Sequence, residues 1–172
     1  LLLCYRNICK TNDAIYPVLV VLALYQYLCN LKNDGKMVLP IVAYGSPVLR
    51  KVCKDIDPGY PNLSILIDDM WETMYRSSGV GLAAPQIGKD IRLFVIDSTQ
   101  VFESLEKDEE GLYPDAPGIK QVFINAHIEE LEGDDWVYNE GCLSIPKIRE
   151  DINRQESVTL RYCDENFEEH LK

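Results

Sequence analysis

The sequence predicts an α+β fold on three observations. A single long amphipathic helix is signalled from Asn62 onward, a glycine- and alanine-rich stretch leaves it directly, and the rest reads as short strands between turn residues. Helix and strands are therefore segregated, where a parallel α/β fold would alternate them. The 172 residues are enough for one domain with a proper core and too few for two ordinary ones.

Residues 14–31, AIYPVLVVLALYQYLCNL, are apolar enough to be weighed as a membrane span or the core of a signal peptide. Pro17, Gln26 and Asn30 interrupt the run, Leu1 is not an initiator, and no small-residue cleavage site follows. Residues 1–36 are accordingly expected to be a non-native upstream extension, with a hydrophobic N-terminal segment as the other reading, and Met37 is expected to be the true start. Charge changes at the same place. Arg6, Lys10, Lys32 and Lys36 against Asp13 and Asp34 give residues 1–36 a net +2, while residues 37–172 carry −13 of the chain's −11 total. An acidic body without a basic stripe offers no nucleic-acid surface, because phosphate binding needs clustered Lys and Arg. Cys4, Cys9, Cys29, Cys53, Cys142 and Cys163 show no tight spacing and no CxxC pair, so they read as reduced thiols.

From Met37 the elements follow in order. VLPIVAYG is a short extended segment, and Ser46 to Arg50 a turn into a single helical turn. Pro58, Gly59 and Pro61 punctuate the chain before the helix. Leu63, Leu66, Ile67, Met70, Trp71 and Met74 then fall on one helical face, with Asp68, Asp69 and Glu72 elsewhere. Asn62 is the expected cap and Gly79 the expected stop. Ile91–Asp97 reads as a largely buried strand, and the acidic, proline-containing residues 103–118 as a solvated loop. Further strands are expected at Gln121–Asn125, Ile128–Glu132, Trp136–Tyr138 and Ser157–Cys163, with Gly133-Asp134-Asp135 as a turn between them.

Two dense stretches stand out. Gly79 to Gly88, GVGLAAPQIG, lets the backbone approach a ligand closely and offers one polar side chain, Gln86. Its G-x-G-x-x-A spacing also fits a dinucleotide fingerprint, but a helix precedes it and Pro85 follows, where that fingerprint needs a strand and then a helix. The second stretch is Glu140-Gly141-Cys142-Leu143-Ser144-Ile145-Pro146. A lone cysteine is ordinarily a small buried hydrophobe. Here Gly141 permits close approach and Pro146 fixes the exit.

Together the two stretches resemble the first and second signature motifs of peptide deformylase, a metal hydrolase that removes the formyl group from new protein N-termini. The resemblance covers residues 37–172 and implies mixed and antiparallel sheets around a helix. It also implies Cys142 as a metal ligand, Gln86 and the Leu143 amide as oxyanion donors, and Val80, Gly81, Glu140 and Arg149 in the substrate groove. The implied metal is Fe(II), with Zn(II) or Ni(II) as alternatives. The implied partners are N-formyl-methionyl nascent peptides met during transient ribosome association, in a bacterial cytoplasm with no membrane contact. Two departures are visible. Ala126 stands where the family usually has proline, and no H-E-x-x-H occurs, the only histidines being His127 and His170. Asn166 to His170 misses the inverted H-x-x-E-H pattern and reads as a turn before a strand. Two histidine ligands are therefore expected beyond Lys172, on a metal-binding helix missing from a C-terminally truncated chain, which as given is expected to be inactive. The alternative is a catalytically empty peptide-binding module of the same fold.

Overall fold

The computed structural model describes residues 35–103 and 118–172. Readings for residues 1–34 and for nearly all of the acidic loop at 103–118 lie outside the described residues. The chain divides into two units, Leu1–Met37 and Val38–Lys172, and the elements below belong to the second. Among the described residues no helix is long and apolar enough to cross a membrane.

Helix α1 spans Leu63–Arg76. Its apolar positions recur every three or four residues, so Leu66, Ile67, Met70 and Met74 form one buried stripe, with Leu63 and Trp71 packed at its margin. Asp69, expected off the apolar face, is buried at 5% exposure. Asn62 holds the cap position but does not cap with its side chain. Its backbone is left-handed (φ 56°), and its carbonyl takes the Leu66 N–H at 3.0 Å instead.

The helix ends in a Schellman closure. Gly79 N–H reaches the Met74 carbonyl at 2.9 Å and Ser78 N–H the Tyr75 carbonyl at 3.0 Å. The left-handed residue is Ser78 (φ 55°), one place before the glycine expected to stop the helix.

Five strands form one antiparallel sheet in the order β1-β2-β3-β4-β5: Gly81–Ala83, Leu93–Asp97, Lys120–Cys142, Ile145–Cys163 and Glu169–Leu171. Every ladder is antiparallel, and the parallel component among the described residues is an isolated bridge from Lys54 to Ile91. Leu82, Leu93, Val95, Val122 and Ile124 share the face that packs on α1. Each large side chain buried there stabilises the fold by about 2 kcal/mol. On the opposite face Phe94 stacks on Phe123 at 4.6 Å between ring centroids, Phe123 meets Tyr162 at a tilt at 4.5 Å, and Tyr162 stacks on His170 at 5.3 Å, an aromatic row crossing four strands.

The separate strands expected between 121 and 138 are one continuous strand. Register shifts between Ile124 and His127, Ile128 and Glu130, and Glu132 and Asp135 absorb the residues that read as turns. Asn125 occupies the first irregularity in a left-handed conformation (φ 53°), and its side-chain amide grips both the N–H and the carbonyl of Ile56, at 2.9 and 2.8 Å. Asp164 organises the turn into β5 by accepting the N–H groups of Asn166 and Glu168 and the imidazole of His170.

A polar cluster ties α1 to the sheet. Tyr75 donates its hydroxyl to Asp97 at 2.5 Å, the Thr99 N–H and hydroxyl donate to the other oxygen, and Lys120 lies over the Trp71 and Tyr75 rings. Burial opposes the Asp97 charge, but the Thr99 and Tyr75 hydrogen bonds and nearby Lys120 outweigh it and hold the carboxyl below its ordinary range. Because the folded value is depressed, the stability Asp97 contributes is present above its unfolded value of about 4 and is lost as pH falls through the folded one. Urea unfolding between pH 7 and pH 3 is expected to give a shallower acid loss of stability for Asp97→Asn than for the wild type.

Candidate active site

The end of α1 meets the tip of the β3–β4 hairpin. A Cβ on Gly79 would lie 2.7 Å from Leu143 Cδ1, so the Leu143 side chain occupies the space that any other residue at 79 would need. Gly79 is further fixed by Gln100, whose Nε2 donates to its carbonyl at 3.0 Å. Past this contact the chain enters β1. Asp97 N–H bonds the Val80 carbonyl at 2.9 Å and Gly81 pairs opposite Ile96, so Val80 and Leu82 direct their backbone groups toward β2. In an antiparallel ladder the alternate residue points the other way, so Gly81 turns its N–H and carbonyl to the free edge of the sheet.

Gln86 lies in the 3-10 turn Ala84–Ile87 that follows β1. Its side-chain oxygen accepts the Ala83 N–H at 2.9 Å, which fixes which end of the amide faces outward. Nε2 is thereby directed to Cys142, 3.7 Å from Sγ. Cys142 closes β3 and is exposed. Leu143 and Ser144 form the two-residue turn to β4, leaving the Leu143 N–H outside the strand ladder. Ser144 is 4% exposed, and its hydroxyl meets no partner among the described residues.

Glu140 and Arg149 stand on either side of this tip. Arg154 grips both Glu140 oxygens, at 2.7 and 2.8 Å, and holds that carboxyl below the usual carboxylate range. Arg149 donates to the side chain and the carbonyl of Asn139 and packs over Gly141, where a Cβ would stand 3.1 Å from Nη1. Val80, Gly81, Gln86, Glu140, Cys142, Leu143 and Arg149, remote in sequence, all line one cleft of about 990 Å³.

The sequence reading did not single out Ile41, Tyr138, Lys147 and Ile148, which line the same cleft, or Arg154. Tyr138 was within reach of sequence reasoning, since residues two apart on a strand share a face and Tyr138 precedes Glu140 by two.

Cys142 is a suitable soft ligand for Fe(II) or Zn(II), but one donor is not a site. Among the described residues the one compact group of three such side chains is Asp164, Glu168 and His170, which does not include it. In that group Asp164 and His170 are bonded to each other, and Asp164 also accepts the turn's N–H groups before β5. His127 is engaged elsewhere, with Arg92 at 3.1 Å and Asp55 at 3.7 Å. The described residues therefore fit one corner of a metal centre and do not fit a whole one.

Residues 38–172 match the family model described as polypeptide deformylase. A peptide deformylase of Flavobacterium johnsoniae is 56% identical over 133 residues, covering 76% of this chain and 66% of the relative. Among solved structures, a peptide deformylase from Synechococcus elongatus in complex with actinonin gives a TM-score of 0.65 at 34% identity, covering 80% of this chain and 69% of that one. A class I type b peptide deformylase from Acinetobacter baumannii, with Met-Ala-Ser bound, gives 0.66 at 28% identity over 80% and 83% of the two chains. The chain spans about two thirds of the length of the curated relatives it matches.

Because the Arg154 fork is the main influence lowering the Glu140 carboxyl, its removal has a defined direction. In Arg154→Ala the Glu140 side-chain carboxyl, followed by carbon NMR across a pH titration, is expected to titrate at a higher pH than in the wild type.

Proposed function

The chain belongs to the polypeptide deformylase family, and from that premise we propose that it is the greater part of an enzyme that hydrolyses the N-formyl group from formyl-methionyl N-termini of newly made proteins. The observation that supports this most directly is the convergence of Gln86 and Cys142 at 3.7 Å, from segments 56 residues apart, beside the free edge of β1.

In this reading the peptide lies along that edge as an added strand, exchanging backbone hydrogen bonds with Gly81, while Val80, whose carbonyl is taken by Asp97, borders the groove through its side chain. Glu140, held still by Arg154, and Arg149 border the groove. Hydrolysis adds a water oxygen to the formyl carbon and places negative charge on the formyl oxygen. Gln86 Nε2–H and the Leu143 N–H are the donors for that charge, and the C–N bond then breaks to give formate and a free amine. Both donors are uncharged and prefixed, one by the Ala83 N–H and the other by the hairpin turn. Cys142 would hold the metal, Fe(II) or alternatively Zn(II) or Ni(II), together with two histidines expected beyond Lys172, and the metal would activate the water. The cytoplasm, transient association with the ribosome, and translation from Met37 belong to the same proposal.

A form of the protein carrying those histidines is expected to lose about 100- to 1,000-fold in turnover of a formyl-methionyl tripeptide on Gln86→Ala, the effect of deleting one oxyanion donor. Cys142→Ala is expected to abolish turnover, and unchanged activity in both variants sinks the assignment.

A second reading, a peptide-binding module without catalysis, is favoured by the single donor that the described residues supply around Cys142. For the 172-residue chain itself, purified anaerobically with Fe(II) or Zn(II), metal content well below one per chain and no formate release are expected, since a lone thiolate leaves most of the coordination shell to water. Stoichiometric metal with turnover would overturn that expectation and the module reading together.

A further inference from the structure

Gln86 and Cys142 lie on elements that the sheet does not join directly, one in a 3-10 turn after β1 and the other at the end of β3. A short extended segment spans them. Val42 N–H donates to the Gln86 backbone carbonyl at 2.8 Å, and two residues later Tyr44 N–H donates to the Ser144 carbonyl at 2.8 Å. A single stretch of backbone thus bonds to both motifs at once. Its upstream end is anchored as well. Leu39 N–H donates at 2.8 Å to the hydroxyl of Thr73, which is fully buried on α1 and itself bonded to the Asp69 carbonyl at 2.6 Å. Leu39 and Ile41 pack on the core, and Ile41 lines the cleft.

We propose that Leu39–Tyr44 is a splint that sets the spacing between the Gln86 amide and the Cys142 sulfur, with the Val42 and Tyr44 N–H groups as positioning groups that touch neither substrate nor metal. Gln86 is then held at two points. Its carbonyl is fixed by Val42, its side-chain oxygen by Ala83, and its Nε2 is left to face the sulfur. Withdrawal of the Val42 bond frees the turn Ala84–Ile87 to move relative to the hairpin tip, so the Nε2 to Sγ contact loosens without any change to Gln86 itself. The consequence for turnover rests on the deformylase reading, whereas the spacing does not, and the test reads the spacing.

The measurement is the iodoacetamide alkylation rate of Cys142 in the full chain, resolved from the other five cysteines by peptide mass mapping. Val42→Pro deletes the N–H, Val42→Ala retains it, and Gln86→Ala deletes the amide that the splint is meant to hold. Val42→Pro is expected to shift the Cys142 rate at least threefold in the same direction as Gln86→Ala. It is expected to add nothing in the Gln86→Ala background, and Val42→Ala is expected to restore the wild-type rate. A Cys142 rate in folded Val42→Pro within threefold of the wild type, or a Val42→Pro effect that persists without Gln86, overturns the proposal. Should Val42→Pro fail to fold, amide hydrogen exchange of the wild-type chain decides. Val42 and Tyr44 protected to the level of the Val95 amide support the splint, and exchange at the rate of free amides overturns it. None of these outcomes depends on formate release, so failure of the splint and failure of the deformylase reading remain distinguishable.

Discussion

The close approach of Gly79 to Leu143 is the constraint on which the rest of the site depends. A Cβ at position 79 would press on the end of the Leu143 side chain at 2.7 Å, so any other residue there would make Leu143 shift. The requirement propagates along the chain. The left-handed closure of the helix falls on Ser78, and the chain then leaves in the direction that lets β1 pair with β2 within two residues of Gly79. Gln86 follows after a three-residue strand, with no slack to lose, and so arrives beside Cys142.

The electrostatics of the cleft fit the neutral group proposed to bind there. A formylated N-terminus carries no charge, so recognition by an opposite charge would bring desolvation cost without a matching ion pair. The two proposed donors, a side-chain amide and a backbone N–H, are both uncharged. The acidic character of the chain is also locally contained, with Glu140 committed to Arg154 and Arg149 bound to the neutral Asn139. Asp97, the nearby buried carboxylate on β2, is occupied by Tyr75 and Thr99.

Much of this was legible in the sequence, and what was not has identifiable causes. Helix α1 was legible because its apolar side chains repeat at the helical period over 14 residues, a pattern that few other arrangements produce. Asp69 broke the pattern, since charge marks an exposed position only by tendency. Gly133-Asp134-Asp135 has turn composition, but in a long two-stranded ribbon the same residues are accommodated as an irregularity, with Gly133 supplying the left-handed step. Gln86 and Cys142 were conspicuous as an uncharged amide and a thiol beside glycines and other small residues. Arg154 was not, because its pairing with Glu140 runs diagonally across a hairpin whose register no short motif encodes. Val42 and Tyr44 act through backbone N–H groups, which every residue but proline possesses, so nothing in their identity could mark them.

The β3–β4 ribbon also governs how this sequence can change length. Cys142 and Leu143 are carried at the far end of a ladder that begins at Ile124 and Cys163, and side chains alternate faces at every step along it. One residue gained or lost in β3 alone would turn the tip to the wrong face of the ribbon unless a bulge absorbed it. The register shifts near Asn125, Glu129 and Gly133 are places where such a change is already accommodated. A fourth irregularity lies at the tip itself, where Gly141 pairs with Arg149 and Cys142 with Ile145, so insertions and deletions in this part of the chain are of two kinds, matched changes in both strands or residues taken up at a bulge.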